Sequence, residues 1–584
     1  MLKGLKKQLC QRILADDAFR DCAPVVQDAF DKSRLDPPPA GQPGDVATNV
    51  AFLMAKPLKQ SPLQVAEALK AVFQGHELVD FVSIAKPGFL NLSLKFEAWQ
   101  DTLKTILQKK EAFGSSTVGA GKKVNVEYVS ANPTGPLHLA HGRGAVVGDA
   151  LARLLAQAGF EVTREFYVND AGEQIKVLAQ SLYARYQEAI TGKPVDLPPG
   201  CYPGEYLKEV AAALIQADGD KWMKTSEDQW MPALGDFGIQ FLLGDIKKTL
   251  GRLGISYDVF TSEKGLHDRD MLRRAIDVLD SKGLVYKGTL PPPKGKAQQD
   301  WVPQELTLFK ASAFGQKEDA PLLKEGDVPT YFGGDVGYHQ DKLDREFDQL
   351  VNVWGADHAA HVGRLAAAVQ ALSGQKGVLH TVLCQIVHVM KDGQPFKMSK
   401  RAGTFILLDD LLDEVGPDVL RFMLISKTTT AHMTLQVEEL VKTSQDNPVF
   451  YVLYAYARGC SVMRAAEEIW GKDAVGTLGD ADLAALKTAT AAFPLMQKLA
   501  FWPMVLEGAA LAFEPHRITI YLQEVARAFH ALWSQGKTNT TMRFIQEDNP
   551  STSRAFLALV QAMLYILQQA LGIIGVPPRQ ELFA

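Results

Sequence analysis

The sequence predicts an α/β protein. A parallel-sheet domain fills the middle of the chain, an α+β domain precedes it over residues 1–110, and an all-α helical bundle follows it over 436–584. Three patterns carry this reading. First, Lys123–Val129 alternates and is rich in β-branched residues, Ser130–Pro136 is turn chemistry, and Ala145, Val146, Leu151, Leu154, Leu155 and Ala158 recur at helical spacing before Gly159. Phe160–Val168 then reads as a second strand, which completes a strand–turn–helix–strand unit; such units form right-handed crossovers in parallel sheets. Second, residues beyond about 440 hold no strand pattern, and Leu483–Trp502 and Phe556–Ile574 place apolar residues at helical spacing. Third, the N-terminal segment mixes helical patterns with the turn-rich Pro37–Gly44 and the strand-like Phe81–Leu94.

Composition sets the bounds. At 584 residues the chain holds three or four domains, on the usual ~100–200 residues each. The five cysteines (Cys10, Cys22, Cys201, Cys384, Cys460) form no Cys-x-x-Cys pair. That argues against structural zinc and a disulfide framework and suits a reducing cytoplasm, so no metal ligands are assigned. The apolar stretches read as too short or too punctuated to cross a membrane, and Met1–Leu9 reads as an amphipathic helix rather than a secretory signal. The net charge of −5 weighs against a nucleic-acid partner, although patches rather than totals meet phosphates.

Within the central domain, His138 and His141 stand three apart where the helix opens, after the carboxyl end of the first strand. Ligands of parallel sheets sit at that end, and a helix N-terminus offers free N–H groups to phosphate. Two imidazoles there suit charge stabilisation at a phosphate; alone, the pair would equally suit a helix cap or a metal. Downstream, the apolar run His380–Met390 reads as one strand, Lys391–Pro395 as a turn, and Phe396–Thr404 as a polar loop holding Lys397 and Lys400. A helical stretch follows Asp409 and Asp410 from Leu411. Lysines on a loop reach terminal phosphates without a rigid fork.

These motifs, in this order, resemble the two signatures of the class I aminoacyl-tRNA synthetases. The first signature segment is Ala131-Asn132-Pro133-Thr134-Gly135-Pro136-Leu137-His138-Leu139-Ala140-His141, and the second is Lys397-Met398-Ser399-Lys400. Further stretches resemble the arginine-specific branch: Val126–Pro136, Tyr167–Gln174, Pro329–His339, Val353–His361, Asp418–Arg421 and Gln445–Arg458. One departure is Ala140, where that family usually has glycine between the histidines.

The resemblance implies a Rossmann-like catalytic domain over 111–435 with a helical insertion at about 174–300, a tRNA-contacting domain over 1–110, and an anticodon-binding bundle over 436–584. It implies an arginine–tRNA ligase that makes arginyl-adenylate and pyrophosphate from L-arginine and ATP, with Mg2+ carried with ATP, then transfers arginine to the 3′ end of tRNA(Arg). His138, His141, Lys397 and Lys400 would be catalytic, with Gly142, Asp357 and Met398 also at ATP. Tyr331 and Asp335 would read the guanidinium, which is planar, charged and best met by carboxylate, while Asn132 and Glu127 would hold the α-amino acid end. Asp357 stays open between ribose, amino acid and a helix cap. Phe89 and Asn91 match an aromatic–x–asparagine pair that would stack on and read a loop base of tRNA; core packing fits them as well. A cytoplasmic monomer is expected. The alternatives are another class I tRNA ligase, a tRNA-independent nucleotidylyltransferase on the same fold, or a non-catalytic tRNA-binding relative. The cysteine-specific ligase would need a zinc site, for which no cysteine cluster exists.

Overall fold

The computed structural model describes residues 1–39, 41–290, 304–395, 406–444 and 446–582. The central domain runs β1 (Lys123–Tyr128), α1 (Leu139–Gln157), β2 (Glu161–Val168), β3 (Val259–Ser262), α2 (Tyr331–Asp344), β4 (Gln349–Gly355), α3 (Ala359–Ser373) and β5 (Leu379–Cys384). The strands lie in the order β5–β4–β1–β2–β3 with every neighbouring pair parallel. The chain therefore starts in the middle, builds outward through β2 and β3, and returns to the other side of β1. That reversal opens a crevice between the carboxyl ends of β1 and β4. β1 is buried from Val124 to Tyr128, as a strand covered on both faces must be. α1 lies so close to it that a Cβ on Gly148 would sit 2.2 Å from the Tyr128 ring.

Two insertions interrupt the sheet. Helices Glu173–Thr191, Tyr206–Asp218 and Glu227–Arg252 pack around Leu178, Leu182, Leu214 and Leu234 between β2 and β3. Between β3 and α2 the described residues include helices Glu263–Asp268 and Met271–Ser281 and an antiparallel sheet of Val285–Gly288, Leu306–Phe309, Ala320–Lys324 and Val328–Pro329. The region expected to be helical to about residue 300 is thus helical only to Arg252 before the chain rejoins the main sheet at β3. A four-residue strand is too short to show a period of two.

The run His380–Met390 is also not one strand. β5 ends at Cys384, and Val387–Lys391 belongs to a separate three-stranded sheet with Gln394–Pro395 and Met433–Gln436. The buried Arg143 of α1 holds the break: its guanidinium donates to the carbonyls of Gln385 (2.9 Å), Ala431 (2.8 Å) and Thr428 (2.9 Å).

The N-terminal domain is a four-stranded antiparallel sheet with helices, and Phe81–Leu94 contributes most of a hairpin, Val79–Ala85 with Phe89–Leu94. Helix Leu2–Leu14 buries Leu2, Leu5, Leu9 and Ile13 at the spacing of one amphipathic face. The C-terminal region is a bundle of helices Pro448–Trp470, Phe493–Leu511, His516–Thr538 and Pro550–Ile574. The long helix expected from Leu483 begins only at Phe493, after two short turns. Pro550–Ile574 is long and apolar enough to span a membrane, contrary to the expectation from punctuation, but 72% of its most apolar window is buried in the protein. It is the core helix of the bundle. Asp45 accepts from Gln497 at 2.8 Å and the Trp99 ring meets Phe493 edge-on at 5.5 Å, so the N-terminal domain rests on this bundle.

Arg421 joins the bundle to the central domain. It is 1% exposed and donates to Asp149 of α1 (2.5 Å), to the Leu253 carbonyl (2.7 Å) and to the Ile574 carbonyl at the end of the last helix (2.8 Å). Gly575, at φ 69°, ends that helix in the left-handed conformation; a side chain there would strike the guanidinium.

A second buried cluster fixes α2 on the sheet. Glu165 of β2 is fully buried and accepts from both terminal nitrogens of Arg345 (2.8 and 2.9 Å), from Tyr338 (2.9 Å), Thr261 (2.6 Å) and Asn125 (2.5 Å). Lys342, 0% exposed, pairs with Glu127 of β1 at 2.6 Å and donates to Asn352 of β4 at 3.2 Å. Burial alone would raise the Glu165 carboxyl, but Lys342 and Arg345 outweigh it and hold it at about 2, below the ordinary 4.5.

Two stability predictions follow from these clusters. Asp149→Ala leaves the Arg421 charge buried without its carboxylate, so urea unfolding should show a loss of about 3–5 kcal/mol. Replacing both partners by apolar residues should recover most of it. The stability that Glu165 contributes is fully present above its unfolded pKa and is lost as pH falls through the folded value of about 2. Glu165→Gln should therefore be less stable than the parent at pH 7, with the difference shrinking as urea titrations move to acid pH.

Candidate functional site

A cavity of about 500 Å³ opens at the reversal between β1 and β4, lined among others by His138, His141, Asn132, Tyr331, Asp335 and Trp354. The backbone is bent into it. Val129 and Ser130, directly after β1, hold φ of 70° and 43°, an unfavourable conformation for a β-branched residue in particular. Ser130 locks the bend: its hydroxyl donates to Glu127 at 2.9 Å and accepts the Tyr167 N–H at 3.1 Å. The signature segment then runs beside the helical insertion, where Tyr206 donates to the Thr134 carbonyl at 2.5 Å and stands 3.3 Å from a Cβ placed on Gly135. Ala131, Pro133, Leu137 and Leu139 are buried anchors, and Pro136 is half-buried.

His138 caps α1 and His141 lies in its first turn, with ring centroids 3.8 Å apart. The His138 N–H donates to Nδ1 of His141 at 3.3 Å. Burial depresses both imidazoles, and with His138 beside it His141 falls to about 3. Both are neutral at pH 7. With Nδ1 accepting, neutral His141 carries its proton on Nε2. Ala140 is exposed and turns its methyl group to the cavity wall. Gly142, expected at the nucleotide, instead faces the interior: a Cβ there would lie 2.9 Å from Leu408. Gly144, one turn on from Ala140, is at the cavity instead. Leu139 N–H donates to Ile406 and Leu408 N–H to Leu137, both at 2.9 Å, so the chain just after the lysine segment is pinned to the histidine turn. Lys397, Met398 and Lys400 themselves lie outside the described residues.

Across the cavity, α2 brings Tyr331 and Asp335 onto one face, four residues apart. Tyr331 is 74% exposed. Thr330 caps the helix, accepting the Gly333 N–H, which leaves Asp335 free of any capping role. Asp335 is 22% exposed in its side chain and lies 2.7 Å from Nε2 of His361. Its backbone carbonyl takes Nδ1 of His339 at 2.8 Å, and Asn352 meets Nε2 of that ring at 2.9 Å. Burial holds His339 at about 3, so the ring is a neutral link between α2 and β4. Asn132 is exposed and donates to Gln174 at 2.8 Å. Glu127 is at the cavity, but Lys342 and Ser130 already engage its oxygens.

Sequence reading missed three contributors: Lys342, His361 and Glu263. Glu263 opens the helix after β3, has one buried carboxylate oxygen without a partner, and is pushed upward by burial and by Asp170 and Asp335. Only the packing of the helix after β3 against α2 brings this second acid near Asp335. Asp357 sits in a 3-10 turn after β4 with its side chain 82% exposed, 3.6 Å from His358 and capping no helix. Phe89 is 40% exposed and meets Phe52 at 4.8 Å. Asn91 departs from the expectation of an amide facing RNA: it is 1% exposed beneath Gly44, with neither amide atom partnered. The turn-rich segment before Val46 covers it, which strand alternation does not reveal.

Comparisons with known proteins match three family domains along the chain. The family model described as "tRNA synthetases class I (R), catalytic domain" matches residues 102–454. Those for the arginyl tRNA synthetase N terminal domain and the DALR anticodon binding domain match 11–94 and 452–582. The arginine–tRNA ligase of Ruegeria pomeroyi is 46% identical over 581 residues, spanning 100% of this chain and 99% of the relative. That of Rhodospirillum rubrum is 46% identical over 562 residues, 94% of each. The solved Thermus thermophilus arginyl-tRNA synthetase shares the fold, with TM-score 0.70 at 20% identity over 96% of this chain and 100% of that one. Matched in its catalytic domain over more than half its length and along its whole length by a close relative, this chain belongs to the arginine–tRNA ligase family of class I aminoacyl-tRNA synthetases.

Proposed function

We propose that the cavity holds ATP against the His138–His141 turn and L-arginine against Tyr331 and Asp335. The arginine carboxylate attacks the α-phosphate and pyrophosphate leaves; a 3′-terminal hydroxyl of tRNA(Arg) then attacks the carbonyl of arginyl-adenylate, breaking the acyl–phosphate bond and releasing AMP. The observation that carries this reading is the opposition, across one crevice, of a neutral imidazole pair at a helix start and an acidic residue on the facing helix. Phosphate suits the donors and guanidinium suits the acid.

Each residue has a part. Nε2–H of His141 donates to oxygens of the α-phosphate as charge builds on them, and His138 supports the same region. Lys397 and Lys400 take the departing pyrophosphate, with Met398 between them, and Mg2+ arrives with ATP as part of that substrate. Asp335 binds the guanidinium, and Glu263, with its unpartnered oxygen, is a second acid for the same cation. Asn132 carries the α-ammonium end, with Glu127 behind it. The Ala140 methyl narrows the adenine side slightly, altering ATP affinity but not the reaction. The N-terminal domain (1–110) and the bundle (436–584) serve tRNA at its corner and anticodon, and the enzyme is a monomer. Pyrophosphate exchange across the twenty amino acids, with and without tRNA, tests the whole reading; exchange with any amino acid but arginine would sink it.

His141→Ala should lower adenylate formation by about 10²–10³, the scale of losing one preorganised donor. Because His141 titrates at about 3, the parent's single-turnover rate should show no imidazole step between pH 6 and 8 from this residue. Asp335→Asn should weaken arginine by about 2–5 kcal/mol and leave ATP nearly unchanged. Equilibrium dialysis with labelled arginine checks this directly.

A further inference from the structure

We infer that His361 is a positioning residue for arginine: it fixes the Asp335 carboxylate in the orientation that meets the guanidinium. The inference rests on Asp335 as the guanidinium reader and adds the group that aims it.

His361 lies in the first turn of α3, beside Asp335 and within ring contact of Tyr331. Its Nε2 stands 2.7 Å from Oδ2 of Asp335. An aspartate at the start of an exposed helix turn has free rotation about two bonds, and a bidentate pair with guanidinium needs one orientation. A single donor on Oδ2 removes that freedom and leaves the remaining lone pairs of the carboxylate to the ligand. Whatever the protonation of the ring, the bond to a carboxylate requires hydrogen on Nε2, so His361 is a donor here and never competes as an acceptor.

The ring is itself held. Tyr331 lies 6.3 Å from it, Phe332 5.6 Å and Trp354 5.7 Å, with the first two edge-on. Three aromatic walls on α2 and β4 thus set the imidazole, the imidazole sets the carboxylate, and Tyr331 belongs to both the cage and the cavity. His361 is 19% exposed in its side chain, so solvent offers Asp335 little alternative partner on this side. The bond links α3 to α2, and hence the strand on one side of the reversal to the reader on the helix before it.

The test uses full-length enzyme with tRNA(Arg) present and measures KM for arginine, ATP and tRNA together with kcat. His361→Phe fills the cage and removes the donor; it should raise the arginine KM roughly tenfold, the scale of one charge-assisted hydrogen bond, and leave the KM for ATP and tRNA unchanged. His361→Gln places an amide N–H where Nε2 stands and should restore arginine KM to within about twofold. His361→Asn, whose amide falls short of Asp335, should behave like His361→Phe; it also serves if the Phe variant does not fold by circular dichroism. In an Asp335→Asn background, His361→Phe should add little, because the group it aims is gone. Parent-like arginine KM in both the Phe and Asn variants, alongside a raised one in Asp335→Asn, overturns the role of His361. A Gln variant no better than Phe overturns it too. An unchanged arginine KM in Asp335→Asn removes the reading of Asp335 first, and the inference with it.

Discussion

The buried ammonium of Lys342 is the constraint on which the site depends. A charge with no solvent exposure is tolerable only when paired and hydrogen-bonded, and Lys342 meets both conditions by reaching Glu127 on β1 and Asn352 on β4. Those two strands flank the reversal in strand order. The lysine therefore clamps α2 across the very crevice where the ligand pocket opens. Two turns earlier on the same helix stands Asp335 and three turns earlier Tyr331, so the clamp sets where both meet the cavity. Arg345 and Glu165 repeat the device one turn later, against β2.

The two sides of the pocket are tuned in opposite senses by similar means. At the start of α1, burial removes charge: His138 and His141 are neutral imidazoles beside the positive end of that helix. A cationic pair there would repel itself at 3.8 Å. On the α2 side the groups are acidic: Asp335 is held by His361, while burial pushes the Glu263 carboxyl upward and leaves one of its oxygens without a partner. The cavity thus sets imidazoles at a helix start against an acidic residue on the facing helix.

The bundle is not a loosely tethered reader. Arg421 meets the last helix, the end of the helical insertion and α1 in one buried guanidinium, and α1 is the helix whose first turn carries the histidines. The arms of the molecule thus share a rigid element with the chemistry. Arg143, two residues past His141, anchors the same helix to the ends of β5 and of the Thr428–Ala431 loop.

How much of this was legible follows from the range of each interaction. The strand, turn and helix around His138, the amphipathic N-terminal helix and the helical C-terminal region are written in local periodicity, which a sequence shows directly. The family follows from short motifs in fixed order, and Tyr331 with Asp335 from the same resemblance. Four-residue β3, the split of His380–Met390 and the inward face of Gly142 were not legible, because each is set by a partner far away in the chain: Glu165 for Thr261 of β3, Arg143 for Gln385, Leu408 for Gly142. The same holds for Lys342, Glu263 and His361, whose roles exist only where strands and helices from distant segments meet, and for Asn91, buried by a loop about fifty residues before it. Sequence by itself determined the longer elements, whose periodicity is local, and the chemistry that their motifs carry. Tertiary structure alone decided which charges are paired, which are left for the ligand, and which side chains face the pocket, since desolvation and pairing depend on neighbours that local sequence does not name.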